Sequence, residues 1–160
     1  MQSFIIPSAL ALLAGSAIAA PHSSGPGHAN VYKIHNFSET KSPSNDITSV
    51  FFDITYYNPA NGAEGSTTHC VPWDYRTNSA SSNWEDGQVY KCAETSFFSF
   101  SYSEEDGPLK GRLTVWQDQT ATDAPQSGFV QIPTPKCYTA DKDQICSSPD
   151  VQVILTDVSQ

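Results

Sequence analysis

Ser96-Phe97-Phe98-Ser99-Phe100-Ser101-Tyr102 sets Phe98, Phe100 and Tyr102 at every second position, with Ser99 and Ser101 between them. A period of two sends the rings to one face of a β-strand and the hydroxyls to the other. The same pattern recurs outward from this segment. In residues 48–57, Val50, Phe52, Ile54 and Tyr56 alternate with Phe51, Asp53, Thr55 and Tyr57, and in 109–117 Leu113 and Val115 stand opposite Arg112 and Trp116. Shorter runs rich in β-branched and aromatic residues occupy 31–37, 66–71, 88–93, 128–132 and 151–156.

Turn formers separate these runs: Asn58-Pro59-Ala60-Asn61-Gly62, Glu105-Asp106-Gly107-Pro108 and Pro133-Thr134-Pro135. Seven or eight strands joined this way form an antiparallel meander. Curling the meander into a small β-barrel, or a barrel-like sandwich, removes its exposed edges. The sequence therefore predicts an all-β fold, with residues 31–160 as a single β-barrel domain and no internal repeat.

The start of the chain reads differently. Residues 1–20 carry no charged side chain, have an apolar centre from Phe4 to Leu13, and end in Ala17-Ile18-Ala19, an A-x-A cleavage signal. Residues 1–19 are read as a signal peptide; Pro7 and Gly15 interrupt the apolar run, which is too short for a membrane span. Residues 20–30, APHSSGPGHAN, form a flexible arm by composition. No later segment reaches the ~20 apolar residues a bilayer crossing needs. The expected product is secreted and extracellular, with no membrane partner.

All of the formal net charge of −9 lies downstream of the leader, and the acids are scattered from Glu39 to Asp157 with no basic stripe. Such a surface repels a phosphate backbone, which argues against nucleic acid as a partner. The four cysteines, Cys70, Cys92, Cys137 and Cys146, also lie downstream of the leader. An even count in a secreted chain reads as a disulfide framework with three possible connectivities. No pair forms C-x-x-C, so the spacing gives no zinc ribbon and no thioredoxin-type site. Asn36-Phe37-Ser38 is an N-glycosylation sequon, in keeping with the same compartment.

Catalytic motifs are missing: there is no G-x-S-x-G, no H-E-x-x-H and no Gly-rich phosphate loop. His22 and His28 fall in the arm, which leaves His35 and His69 as isolated strand residues. Glu85, Asp86, Glu94, Glu104 and Asp118 could supply a carboxylate pair for glycoside hydrolysis. However, Glu85-Asp86-Gly87 and Glu104-Glu105-Asp106-Gly107 read as solvated turns. Asp141-Lys142-Asp143 begins like a calcium loop but lacks the glycine and closing glutamate. His22 near a new amino terminus evokes copper, but Pro21 has no amide proton to give up. No catalytic residue, metal site or cofactor is assigned.

The long segment 71–87, VPWDYRTNSASSNWEDG, remains as a candidate. Loops of this length usually have a role, and a Cys70–Cys92 bridge would pin its base. Trp73, Tyr75 and Trp84 stand there in polar surroundings, as residues that dominate binding hot spots do. They are read as candidate partner-binding residues. The competing reading is that Trp73 and Trp84 fold back and plug one end of the barrel.

Val89-Tyr90-Lys91-Cys92-Ala93-Glu94-Thr95-Ser96-Phe97-Phe98-Ser99-Phe100 resembles a strand pair of one family: the secreted fungal allergens and hypersensitive-response elicitors typified by the major allergen of Alternaria moulds. Val31-Tyr32-Lys33-Ile34 with Phe37 is similar to the first strand of that family, and Phe52-Asp53-Ile54 to the second. Cys137-Tyr138, Ile145-Cys146 and the run Val151-Gln152-Val153-Ile154-Leu155-Thr156 are similar to its closing hairpin.

The resemblance implies a small β-barrel with Cys70 paired to Cys92 and Cys137 to Cys146. It also implies an effector or elicitor without enzymatic activity, acting on plant defence through a host apoplastic protein, such as a thaumatin-like pathogenesis-related protein. The allergen type has an additional cysteine before its first strand that links two subunits; residues 20–30 have none, so only a non-covalent homodimer is expected. The alternatives from other classes are a small secreted hydrolase (glycosidase or ribonuclease) and a sugar-binding module.

Overall fold

The alternating runs become antiparallel strands that curl around one apolar interior. The computed structural model describes residues 29–74, 77–81, 83–104, 111–121 and 123–158. The signal-peptide region, most of the arm and Tyr75 lie outside the described residues. In chain order the strands are β1 (Asn30–Lys41), β2 (Ile47–Asn58), β3 (Ala63–Cys70), β4 (Trp73–Asp74), β5 (Ser79–Ala80) and β6 (Tyr90–Lys91). They continue as β7 (Phe98–Ser103), β8 (Gly111–Gln117), β9 (Gln126–Ile132), β10 (Lys136–Ala140), β11 (Asp143–Ser147) and β12 (Val151–Asp157).

The long strand β1 is the spine. Along one edge it pairs with β2, which carries β3; along the other its first half pairs with β12 and its last with β11. From β12 the sheet runs on through β9, β8, β7 and β6 to β4 and β5. The far ends of this half-barrel meet where Cys70, closing β3, bonds to Cys92, just past β6. The Val71 N–H donates to the Cys92 carbonyl at 2.9 Å beside that bond. Cys137 and Cys146 are directly opposed in the β10–β11 hairpin and form the second disulfide.

Inward-facing Phe52, Ile54, Phe100, Leu113, Val115, Val153 and Leu155 form the core. The alternation expected for β7 and β8 holds, with Phe100, Tyr102, Leu113 and Val115 fully buried. In β2 it holds through Ile54 and then breaks: Thr55 is buried and Tyr56 exposed, where the pairing with β3 shifts register.

The expectation of seven or eight strands misses four short ones, because none of β4, β5, β10 and β11 buries a full face. Of the run 88–93, only Tyr90–Lys91 is paired as a strand.

A bulge in β1 has larger consequences. His35 pairs with Asp53 and Ser38 with Phe51, so Asn36 and Phe37 together oppose one residue of β2. Asn36 takes φ of 53°, the left-handed region that asparagine tolerates better than most residues. One extra residue inverts the inward phase. Tyr32 and Ile34 point inward before the bulge; after it Phe37, Glu39 and Lys41 do. A glutamate and a lysine thereby enter the barrel.

Candidate functional site

The two ends of the barrel differ chemically. At the end where β1 begins, Tyr32 donates to Gln117 Oε1 at 2.7 Å, Asn30 to Gln126 Oε1 at 2.9 Å, and Gln126 to Asp157 at 3.0 Å. Burial, followed by Asp123 and Tyr56, pushes the Tyr32 phenol up to about 12. This is an amide-rich seal.

The other end holds buried charge. Glu39 and Lys41 are 0% and 1% exposed, positions where a charge is tolerated only with partners. Lys41 Nζ donates to Glu104 Oε1 at 2.7 Å and Oε2 at 2.8 Å, and lies 3.4 Å from Glu39 Oε1. The Tyr102 hydroxyl donates to Glu39 Oε2 at 2.7 Å. Burial pushes the Glu39 carboxyl above its ordinary value, and the Tyr102 and Lys41 donors pull it back only in part. Burial and then the Glu39 charge push the Tyr102 phenol well above the usual range.

Gly111 makes room for this arrangement. A β-carbon there would come within 2.0 Å of the Tyr102 ring and hydroxyl.

Above the network opens a cavity of about 320 Å³ lined by Asn45, Asp46, Ile47, Trp84, Asp86 and Glu104. The β1–β2 turn, the segment between the disulfide-linked cysteines and the end of β7 each contribute to it. Trp84 stacks on Tyr90 with centroids 4.9 Å apart and rings 22° from parallel, and also faces Phe100 at 6.3 Å. It therefore rests on the core and forms part of the cavity wall.

Residues 34–147 match the family described as Alternaria alternata allergen 1. The chain belongs to that family. Two crystal structures of the Alternaria alternata allergen Alt a 1 are similar in fold. One, at 23% identity, aligns with a TM-score of 0.58 over 81% of this chain and 96% of the other. The second, at 24% identity, gives 0.57 over 81% and 92%. No curated protein matches the chain by sequence.

Within this allergen 1 family fold the three aromatics of the long segment are not equivalent. Trp84 lines the cavity. Trp73 is half-buried in β4, paired with Ala80 and Lys91, and does not line it. Tyr75 lies outside the described residues. Asn36 is exposed at the bulge, its side-chain amide donating to Asp53 Oδ2 at 2.8 Å. On that outer face Asp53 is bonded to His69, and His35 to Asp150. The two histidines therefore serve surface hydrogen bonds to carboxylates. Among the described residues no group of three or more His, Cys, Asp or Glu could hold a metal ion.

Two findings correct the sequence reading of the acids. Glu104 is not a solvated turn residue: its side chain is 14% exposed and clasps Lys41. Glu39 and Lys41, unremarkable by sequence, are fully interior. The available signal was Phe37, whose apolar side chain falls out of phase with Tyr32 and Ile34 and so betrays a register change.

Proposed function

We propose that this allergen 1 family member is a secreted, non-enzymatic effector or elicitor that recognises a host extracellular protein in the plant apoplast and modulates defence. The observation that carries this reading is the state of the buried acids. Glu104 and Glu39 share the Lys41 ammonium, and Tyr102 occupies the second oxygen of Glu39. Carboxylates tied up in this way hold the barrel end together. A hydrolase instead needs one acid free to reach a scissile bond.

The apolar leader, the two disulfides and the sequon at Asn36 support an extracellular site of action. The charge of −9 favours a basic partner, and a thaumatin-like pathogenesis-related protein is the class the family resemblance suggests. Residues 20–30 carry no cysteine, so self-association through this arm would be non-covalent.

The test is capture from plant apoplastic fluid on the purified secreted protein, followed by affinity measurement at low and physiological salt. A captured basic protein whose affinity falls severalfold as salt rises is the expected result. Turnover of a glycan or RNA that Glu104→Gln abolishes would replace this reading with a hydrolase.

A further inference from the structure

Asn36 is the one exposed residue among the twelve of β1. It heads Asn36-Phe37-Ser38, and no other Asn-x-Ser/Thr triplet occurs in the chain. Its place in the bulge accounts for the exposure. The inserted residue leaves the strand alternation and takes φ of 53°, while Phe37 and Ser38 beside it are 1% and 7% exposed.

The outer face under Asn36 is organised. Its side-chain amide donates to Asp53 Oδ2 at 2.8 Å, and the other oxygen of Asp53 is bonded to the His69 ring. One carboxylate thus links β1, β2 and β3. The Asp53 side chain is 17% exposed and that of His69 80%. An asparagine amide carries two hydrogens, of which the Asp53 bond uses one. The other is left for substitution.

We propose that Asn36 carries an N-linked oligosaccharide, attached before the barrel closes and held by Asp53 over the outer face of β2 and β3. The donor is a lipid pyrophosphate-linked oligosaccharide of the secretory pathway. The bond from its anomeric carbon to the phosphate oxygen breaks and a bond from that carbon to Nδ2 forms. Nδ2 loses one proton, and the lipid pyrophosphate leaves with the electron pair. The site rests on the reading above only for entry into the secretory pathway.

Timing follows from burial. Asn-x-Ser/Thr is recognised through its hydroxyl as well as its amide, yet Ser38 is paired with Phe51 on one side and Ser147 on the other. Only the chain that has not yet formed these pairs presents the whole triplet. Placement has a consequence of its own. Among the described residues β3 pairs only with β2, and an open strand edge invites another chain. At about 4.8 Å between neighbouring strands, β3 lies about 10 Å from the root of the glycan. A bulky, solubilising group there covers it.

The parent, Ser38→Ala and Ser38→Thr are secreted from a fungal host and their intact masses measured, before and after denaturation and peptide N-glycosidase. Ser38→Ala keeps Asn36 and destroys the triplet; Ser38→Thr rebuilds it. Asn36→Gly, which accepts the same φ, serves if Ser38→Ala folds poorly. The parent and Ser38→Thr should exceed the mature sequence by an oligosaccharide that the enzyme removes, and Ser38→Ala should lose it entirely. Diethyl pyrocarbonate should modify His69 severalfold more slowly in the parent than in Ser38→Ala. Protein made in bacteria and folded with its disulfides should not accept the oligosaccharide from the transferase, whereas the reduced, unfolded chain should.

A secreted parent without this oligosaccharide would overturn the proposal, as would one that survives in Ser38→Ala or Asn36→Gly. Equal His69 rates would remove the placement, and transfer to the folded protein the timing. Each of these results leaves host recognition standing. A glycosylated parent that captures no apoplastic protein would keep the site and remove the host. Retention of the chain in the cytosol would overturn both.

Discussion

Lys41 Nζ sits within 2.8 Å of both carboxylate oxygens of Glu104, joining β1 to the end of β7 across the barrel interior. Sixty-three residues separate the two in sequence. The contact exists because the Asn36 bulge turns the second half of β1 over.

Lys41→Met tests how far the barrel end depends on that ammonium. Methionine fills similar volume but leaves Glu39, and largely Glu104, buried without a cation. Breaking one partner out of a buried ion pair costs about 3–5 kcal/mol. Urea denaturation should show a loss of that size, partly restored by adding Glu39→Gln. A loss below ~1 kcal/mol would place the ion pair in the surface class and refute its structural role.

Gly111 is the second dependency. An alanine β-carbon would meet the Tyr102 ring at 2.0 Å, far inside contact distance. The hydroxyl donates a 2.7 Å bond to Glu39 and the ring packs on Phe37 at 5.1 Å between centroids, so stepping aside would disrupt both. Gly111→Ala should destabilise by about 3 kcal/mol or more, at the severe end of overpacking. Gly62→Ala, where a β-carbon would meet nothing within 4 Å, would pay mainly for its φ of +70°. A thermal midpoint for Gly111→Ala no lower than that of Gly62→Ala would contradict the close approach.

Much of the fold could be read from side-chain period, and the exceptions have physical causes. The β7 run of Phe98, Phe100 and Tyr102 and the β8 pair Leu113 and Val115 alternate because one face meets the core. The β10–β11 hairpin shows no such period because most of its residues are exposed on both faces; only the resemblance around Cys137 and Cys146 pointed to it. The cavity was least legible. Its residues come from three separated segments, and the inward turn of Glu39 and Lys41 depends on one positive φ at Asn36. Trp84 could be singled out by type, but whether it faced the core, the cavity or both depended on Tyr90 beneath it.

The two disulfides should differ in consequence. Chain-entropy arguments give about 3.4 kcal/mol for the Cys70–Cys92 closure, separated by 22 residues, and about 2.6 kcal/mol for Cys137–Cys146, separated by 9. Position adds a second contrast, because Cys70–Cys92 joins the ends of the half-barrel whereas Cys137–Cys146 lies within one hairpin. Replacing both cysteines of the first pair by alanine should accelerate amide exchange at Val71 and through β3 and β6. Replacing the second pair should confine faster exchange to β10 and β11. Equal, global acceleration in both variants would show that the seam has no special role.

Glu39 gives the barrel end a pH dependence opposite to that of an ordinary paired carboxylate. Its folded pKa lies above the ordinary value of 4.5, first through burial. A group shifted this way binds its proton more tightly in the folded state. Its contribution to stability is therefore fully present below 4.5 and is lost as pH rises through the folded pKa, by ~1.4 kcal/mol for each unit of separation. Glutamine at this position keeps an acceptor for the Tyr102 hydroxyl but carries no titrating proton. The stability of Glu39→Gln relative to the parent should thus improve steadily from pH 4 upward and level off once Glu39 is ionised in the folded parent. Paired denaturation curves from pH 4 to 8 check this. A constant difference across the range, or one that shrinks with rising pH, would mean that Lys41 holds the Glu39 carboxylate ionised in the fold and that burial does not control it.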